Sequence, residues 1–206
     1  MNLLDSLRAD RLLAIVRGPD PAAVLASVLT LADSGVRLIE VSLTAAEACT
    51  TIRRARAALG PDFALGAGTV LTEEDARRAA EAGASYLVTP AIAPSLAEAG
   101  RLGLPVLAGA LTPSEVVQAT TGGALAVKLF PASVGGPGYL GALRDPFPSV
   151  PFVPVGGIDA TSARAYLDRG AVAVGVGSPL LGDAPRGGDQ GELRRRVADF
   201  LAAVAR

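Results

Sequence analysis

The sequence predicts a single (β/α)8 barrel of the TIM type, within the α/β class, and three observations carry that expectation. Short apolar, β-rich runs alternate with alanine-rich helical stretches, with no two strands in succession, which argues for a parallel sheet. The alternation repeats eight times, which favours a closed barrel over an open doubly wound sheet. The length of 206 residues suits one domain, 1–206, at the short end for such a barrel.

Each element has its own signal. The first strand is Leu12 to Arg17, followed by a helix over Pro21 to Asp33. Asp20 is placed to cap that helix, Pro21 sits in its first turn, and Gly35 ends it. The second strand runs from Arg37 to Ser42, with a helix from about Ala45 to Leu59. The third is Phe63 to Ala67. Thr72-Glu73-Glu74-Asp75 then opens a helix with a capping residue and an acidic first turn, and Gly83 closes it. Tyr86 to Thr89 is the fourth strand, with a helix from about Pro94 to Leu102; Pro105 to Ala108 is the fifth, with a helix opened by Thr112-Pro113. The sixth spans Ala124 to Phe130, and a Gly/Pro-rich turn from Val134 to Gly138 leads to a short helix. Phe152 to Val155 and Ala171 to Val176 are the last strands, with helices over Asp159 to Arg169 and about Glu192 to Ala205. Gly182 to Gly191, rich in polar residues, Gly and Pro, reads as a mobile loop.

Composition narrows the function. Half of the residues are apolar, enough for a substantial core. A net charge of −1 provides no field that would draw nucleic acid or membrane. Arg194-Arg195-Arg196 reads as a solvated helix face. The lone Cys49 permits no internal disulfide and suits a small buried hydrophobe. No transmembrane or targeting segment is evident, so a cytoplasmic location is expected. There is no histidine, which removes imidazole bases, Ser-His-Asp triads and imidazole-bound zinc. A carboxylate-held Mg²⁺ stays open.

The basic residues are lopsided: of 19, only Lys128 is a lysine. It sits in the apolar run Ala124-Leu125-Ala126-Val127-Lys128-Leu129-Phe130. In a barrel of this type, the active site lies at the C-terminal ends of the strands. Strand parity puts Ala124, Ala126 and Lys128 on the lumen face, and likewise Leu38, Glu40 and Ser42. A lysine and a glutamate then share one apolar interior. One reading is a structural ion pair. The other is covalent catalysis: an amine deprived of solvation becomes free to attack a ketone, and a carboxylate within reach moves the protons. Gly156-Gly157 and Gly177-Ser178, after the seventh and eighth strands, suit a phosphate site or plain turns. Gly66-Ala67-Gly68-Thr69 reads either as a tight turn or as a carboxylate site built on Thr69. Arg17 is placed to clamp an anion or to lie on the surface. The residues alone thus leave open an aldolase, a sugar-phosphate isomerase or epimerase, a magnesium-dependent pyruvate aldolase and a silent scaffold barrel.

Seven motifs, in this order, resemble a known family: Ile15-Val16-Arg17, Ile39-Glu40-Val41, Gly66-Ala67-Gly68-Thr69-Val70, Val88-Thr89-Pro90, Lys128-Leu129-Phe130-Pro131, Gly156-Gly157-Ile158 and Gly175-Val176-Gly177-Ser178. They resemble the bacterial 2-keto-3-deoxy-6-phosphogluconate / 2-keto-4-hydroxyglutarate aldolases from about Leu12 to Leu181. The resemblance implies a class I aldolase without metal or cofactor, usually a homotrimer, acting on a small 2-keto acid phosphate. It makes Lys128 the Schiff-base lysine and Glu40 the general acid/base. It assigns Thr69 to the pyruvyl carboxylate, Arg17, Pro90 and Phe130 to substrate contact, and Gly156, Gly157, Gly177 and Ser178 to the phosphate side. The activity implied is cleavage of the phosphogluconate substrate to pyruvate and glyceraldehyde 3-phosphate, and of 4-hydroxy-2-oxoglutarate to pyruvate and glyoxylate. Two positions depart from the pattern. Thr44 stands where some members carry an arginine, whose role Arg17 can take. Val155 stands where phosphogluconate enzymes often show threonine, and resembles the phosphogalactonate enzymes.

Overall fold

The computed structural model describes residues 2–205. Helix α1 (Leu3–Asp10) leads into β1 (Leu12–Val16) and α2 (Pro21–Asp33), then β2 (Leu38–Ser42) and α3 (Ala48–Leu59). β3 (Ala64–Gly68) precedes α4 (Glu73–Glu81), and β4 (Leu87–Val88) precedes α5 (Ser95–Arg101). β5 (Val106–Ala110), α6 (Pro113–Thr121) and β6 (Ala126–Leu129) follow, then α7 (Gly136–Arg144), β7 (Phe152–Pro154) and α8 (Ala160–Asp168). β8 (Val174–Val176) leads to the single-turn α9 (Ser178–Leu181) and the long α10 (Gln190–Val204). The eight strands are parallel, in the order β7-β6-β5-β4-β3-β2-β1-β8. A parallel bridge between Val155 and Gly175 joins the two ends. There Val172 N–H also donates to the Phe152 carbonyl at 3.0 Å, so the sheet curls into a barrel.

Strand alternation sorts the apolar side chains into two layers. Ile39, Val41, Val127 and Leu129 pack outward against the helices. Leu13, Leu38, Val88, Leu107, Ala126 and Val153 pack inward. Leu7 of α1 joins the inner layer and is fully buried, closing the N-terminal end of the barrel. Helix starts follow the expected chemistry. Asp20 accepts from Ala22 N–H, and Thr72, Thr112 and Asp159 each form a reciprocal capping box.

The structure departs from the sequence reading in several places. α1 was not expected; Asn2 caps it and Asp5 sits in its first turn. The first strand ends at Val16, one residue before Arg17. Gly66 and Gly68 are residues of β3 and do not form a tight turn. The segment from Gly182 to Gly191 holds a 3-10 turn at Ala184–Arg186, with Ala184 and Pro185 buried. Pro185 is wedged against Gly18, where a Cβ would overlap it, so that stretch is packed against the barrel. Cys49 is half-buried. Arg196 is no solvated charge: its Nε and Nη2 donate to the carbonyls of Leu180 and Leu181 at 2.8 and 2.9 Å.

Candidate active site

Parity carries Glu40 and Lys128 into the lumen, as the alternation predicts. Glu40 is 1% exposed and Lys128 6%. In register, Glu40 lies between Ile15 and Gly66, and Lys128 between Gly109 and Val153. Burial raises the Glu40 carboxyl above its ordinary pKa, and the positive charge of Lys128 opposes that rise. The two groups feel each other's field, yet among the described residues no ion pair joins them, and Oε2 of Glu40 is buried without a hydrogen-bond partner. A structural ion pair therefore lacks its contact. Nζ of Lys128 stands 5.2 Å from the centroid of the Phe130 ring. An aromatic face at that range favours a cation at nitrogen, whether ammonium or iminium.

Glycines make the room that these groups need. A Cβ on Gly68 would overlap the Glu40 carboxyl, and one on Gly66 would overlap the Tyr86 ring. On β5, a Cβ at Gly109 would collide with the backbone of Pro90. Thr89 holds that crossing in place: its hydroxyl donates to the Ala91 carbonyl at 2.6 Å and accepts from Gly109 N–H at 3.1 Å. Pro90 is thereby held against Gly109, the register partner of Lys128.

Hydroxyls and positive-φ residues line the rim. Thr69 adopts a left-handed backbone, φ 59°, just past β3. Its hydroxyl lies 2.9 Å from Ser42 Oγ, which lies 2.8 Å from Thr44 Oγ1. Arg17 follows β1, is exposed, and carries no hydrogen bond or ion pair among the described residues. Across the barrel, Val155 is 5% exposed, and its side chain fills the place a Cβ on Gly175 would take. Gly156 and Gly157 have φ of 105° and 71°, conformations that L side chains rarely adopt. Gly177 and Ser178 follow β8, with Ser178 exposed at the start of α9.

Arg17, Thr69, Pro90, Phe130, Val155, Gly156, Gly157, Gly177 and Ser178 thus all follow the C-terminal ends of strands, and Glu40 and Lys128 lie within β2 and β6. Two clefts lie away from these residues. One of about 770 Å³ is at the N-terminal end, lined by Leu3, Asp10, Arg37, Phe63 and Tyr86. Another of about 210 Å³ lies beside the start of α3, at Leu43, Cys49, Asp75 and Arg78. Neither reaches Lys128 or Glu40. Among the described residues, no group of three or more Cys, Asp or Glu side chains is placed to hold a metal ion. Ser42, Tyr86 and Thr89 were missed as site residues. Ser42 shares the parity of Glu40, but its link to Thr69, 27 positions away, shows only in three dimensions.

The comparisons with known proteins agree with this fold. A family model described as KDPG and KHG aldolase matches residues 3–191. The chain is 32% identical to the probable 2-dehydro-3-deoxy-6-phosphogalactonate aldolase of Rhizobium meliloti (strain 1021), over 93% of this chain and 90% of that protein. It is 36% identical to the 2-dehydro-3-deoxy-phosphogluconate aldolase of Pseudomonas aeruginosa PAO1, over 80% of this chain and 76% of that protein. Among solved structures, the native KDPGal structure superposes with a TM-score of 0.87 at 32% identity, covering 93% of both chains. No helix of the described residues is long and apolar enough to cross a membrane. The family model spans nearly the whole chain and the relatives share its fold, so the chain belongs to the KDPG and KHG aldolase family, a family of lyases.

Proposed function

We propose that the chain is a class I aldolase that cleaves 2-keto-3-deoxy-6-phosphogluconate to pyruvate and glyceraldehyde 3-phosphate, and 4-hydroxy-2-oxoglutarate to pyruvate and glyoxylate. The observation that carries this reading is a buried amine and a buried carboxylate that share one lumen without contact. Nζ of Lys128 adds to the C2 ketone, and Glu40 carries protons as the carbinolamine loses water to give an iminium. Glu40, now ionised, accepts the C4 hydroxyl proton, directly or through a water. The C3–C4 bond breaks, and its electron pair moves into the iminium. The aldehyde departs and leaves an enamine on Lys128. Protonation at C3 and addition of water at C2 return pyruvate and the free amine. The Phe130 ring stabilises the cationic stages.

Thr69, oriented by Ser42, binds the pyruvyl carboxylate; Arg17, Pro90 and Phe130 contact substrate. Gly156, Gly157, Gly177 and Ser178 receive the phosphate, where bare backbone allows close approach. Neither metal nor cofactor enters these steps. A second reading, the galactonate epimer, rests on Val155: an apolar side chain at the end of β7 offers no hydroxyl to select one C4 configuration. Two relatives are phosphogalactonate aldolases by name. By resemblance the enzyme is a single-domain, cytoplasmic homotrimer.

Borohydride added with pyruvate should attach a three-carbon label at Lys128, and Lys128→Ala should abolish pyruvate release. Unlabelled protein, under conditions that trap a known class I aldolase, would overturn the reading. Cleavage rates for the two C4 epimers and for 4-hydroxy-2-oxoglutarate decide among the substrates.

A further inference from the structure

Tyr86 is a buried titratable side chain that the chemistry above leaves idle. It is 1% exposed and packs in the inner layer with Leu13, Leu38 and Val88. Its ring rests on Gly66, where any Cβ would overlap Cε2 and Cζ. Gly66 is the register partner of Glu40. The Glu40 carboxyl rests on Gly68, the next residue on the same face of β3. One such repeat along a strand is about 6.6 Å. The phenol therefore occupies the lumen layer directly beneath the carboxylate. Each group keeps one buried polar atom without a hydrogen-bond partner, the Tyr86 hydroxyl oxygen and Glu40 Oε2. Buried polar atoms are nearly always satisfied, and phenylalanine would fill the same space with nothing to satisfy.

Three charged groups bear on the pair. Lys128 on β6 acts on Glu40, Arg56 on α3 acts on Tyr86, and Asp62 acts on Arg56, while the Glu40 charge itself acts on Tyr86. Burial, joined by the charge of Glu40 and offset by Arg56, pushes the phenol well above its ordinary pKa. The hydroxyl stays protonated and is a donor to any carboxylate it meets.

We propose that Tyr86 is a positioning residue for the acid/base: its hydroxyl donates to Oε2 of ionised Glu40 through one bridging water. A donor supports the ionised form and so keeps Glu40 available as a base in spite of its burial. The catalytic consequence rests on the aldol-cleavage reading; the titration itself does not. Tyr86→Phe deletes the donor and keeps the ring. The Glu40 titration is then expected to move up by about one pH unit. The acidic limb of kcat should move with it, giving roughly a tenfold loss below the limb and recovery above it. A merely structural role would scale kcat equally at every pH.

The test is a pH titration of the ¹³C-carboxyl signals of glutamate-labelled protein, wild type against Tyr86→Phe, with Glu40→Gln identifying the Glu40 signal. Incorporating 3-fluorotyrosine, a stronger donor, should move the titration the opposite way; Tyr139 and Tyr166 donate to the carbonyls of Leu111 and Ala132, away from Glu40. Displacements of opposite sign support the proposal. A Glu40 titration unmoved by either change overturns it. Because this readout needs no turnover, a displaced titration in a protein that releases no pyruvate would overturn the cleavage reading alone.

Discussion

Glu40 is a carboxylic acid in surroundings that favour its neutral form. Burial raises its pKa above the ordinary 4.5, against the pull of Lys128, so the folded chain holds this proton more tightly than the unfolded chain. That contribution to stability is complete below the unfolded pKa and is lost as pH rises through the folded one. At neutral pH the carboxylate weighs against the fold. Glu40→Gln should therefore raise Tm at about pH 8, by roughly 2–4 °C per kcal/mol recovered, with the gain shrinking toward about pH 4. The same change should slow pyruvate release about 10²- to 10⁴-fold. Melting curves at both pH values check the first claim, and a Tm difference independent of pH would refute it. Lys128 and Glu40 were legible in the sequence because a charge in an apolar, alternating run has few explanations. Ser42 and Tyr86 were not. A serine or tyrosine in a strand is ordinary, and what sets them apart is a neighbour on another strand: Thr69 for one, the Gly66 floor for the other.

Among the elements, β3 and α1 show where local signals mislead. Gly-Ala-Gly lowers strand propensity and suggests a turn, yet the chain extends through it because Glu40 and Tyr86 need the space above Gly68 and Gly66. α1 was overlooked because Leu3–Asp10 is too short to show a sustained period; Leu7 is its one fully buried side chain among the residues described. Asn2 and Asp5 were the available signs of a helix start. That single leucine closes one end of the barrel against Leu13 and Leu38. Leu7→Ala should cost about 2–5 kcal/mol and Leu7→Met less than about 1.5 kcal/mol, measured by denaturant unfolding. Equal losses for the two variants would contradict a plug defined by volume. The capped helices were easier, since Asp20, Thr72 and Thr112 carry their signal within four residues.

The eightfold rhythm of the whole molecule survived shifts of several boundaries, while Pro21–Asp33 fell where expected, because strand and helix periods differ too much to be confused over 206 residues. Closure was not legible in the same way: it depends on the Val155–Gly175 bridge between chain segments that no local pattern links. Assembly is a property of this scale too. Sedimentation equilibrium should give three times the mass of one chain, and a monomer at micromolar concentration would refute the proposed trimer. The barrel also encloses its only lysine, and every other side-chain cation in the sequence is an arginine. Reagents that acylate or reductively alkylate amines thus meet no lysine side chain on the exterior. A side-chain adduct left by such a reagent records a visit to the interior. The folded protein's tolerance of electrophiles becomes a gauge of how often the barrel admits a solute.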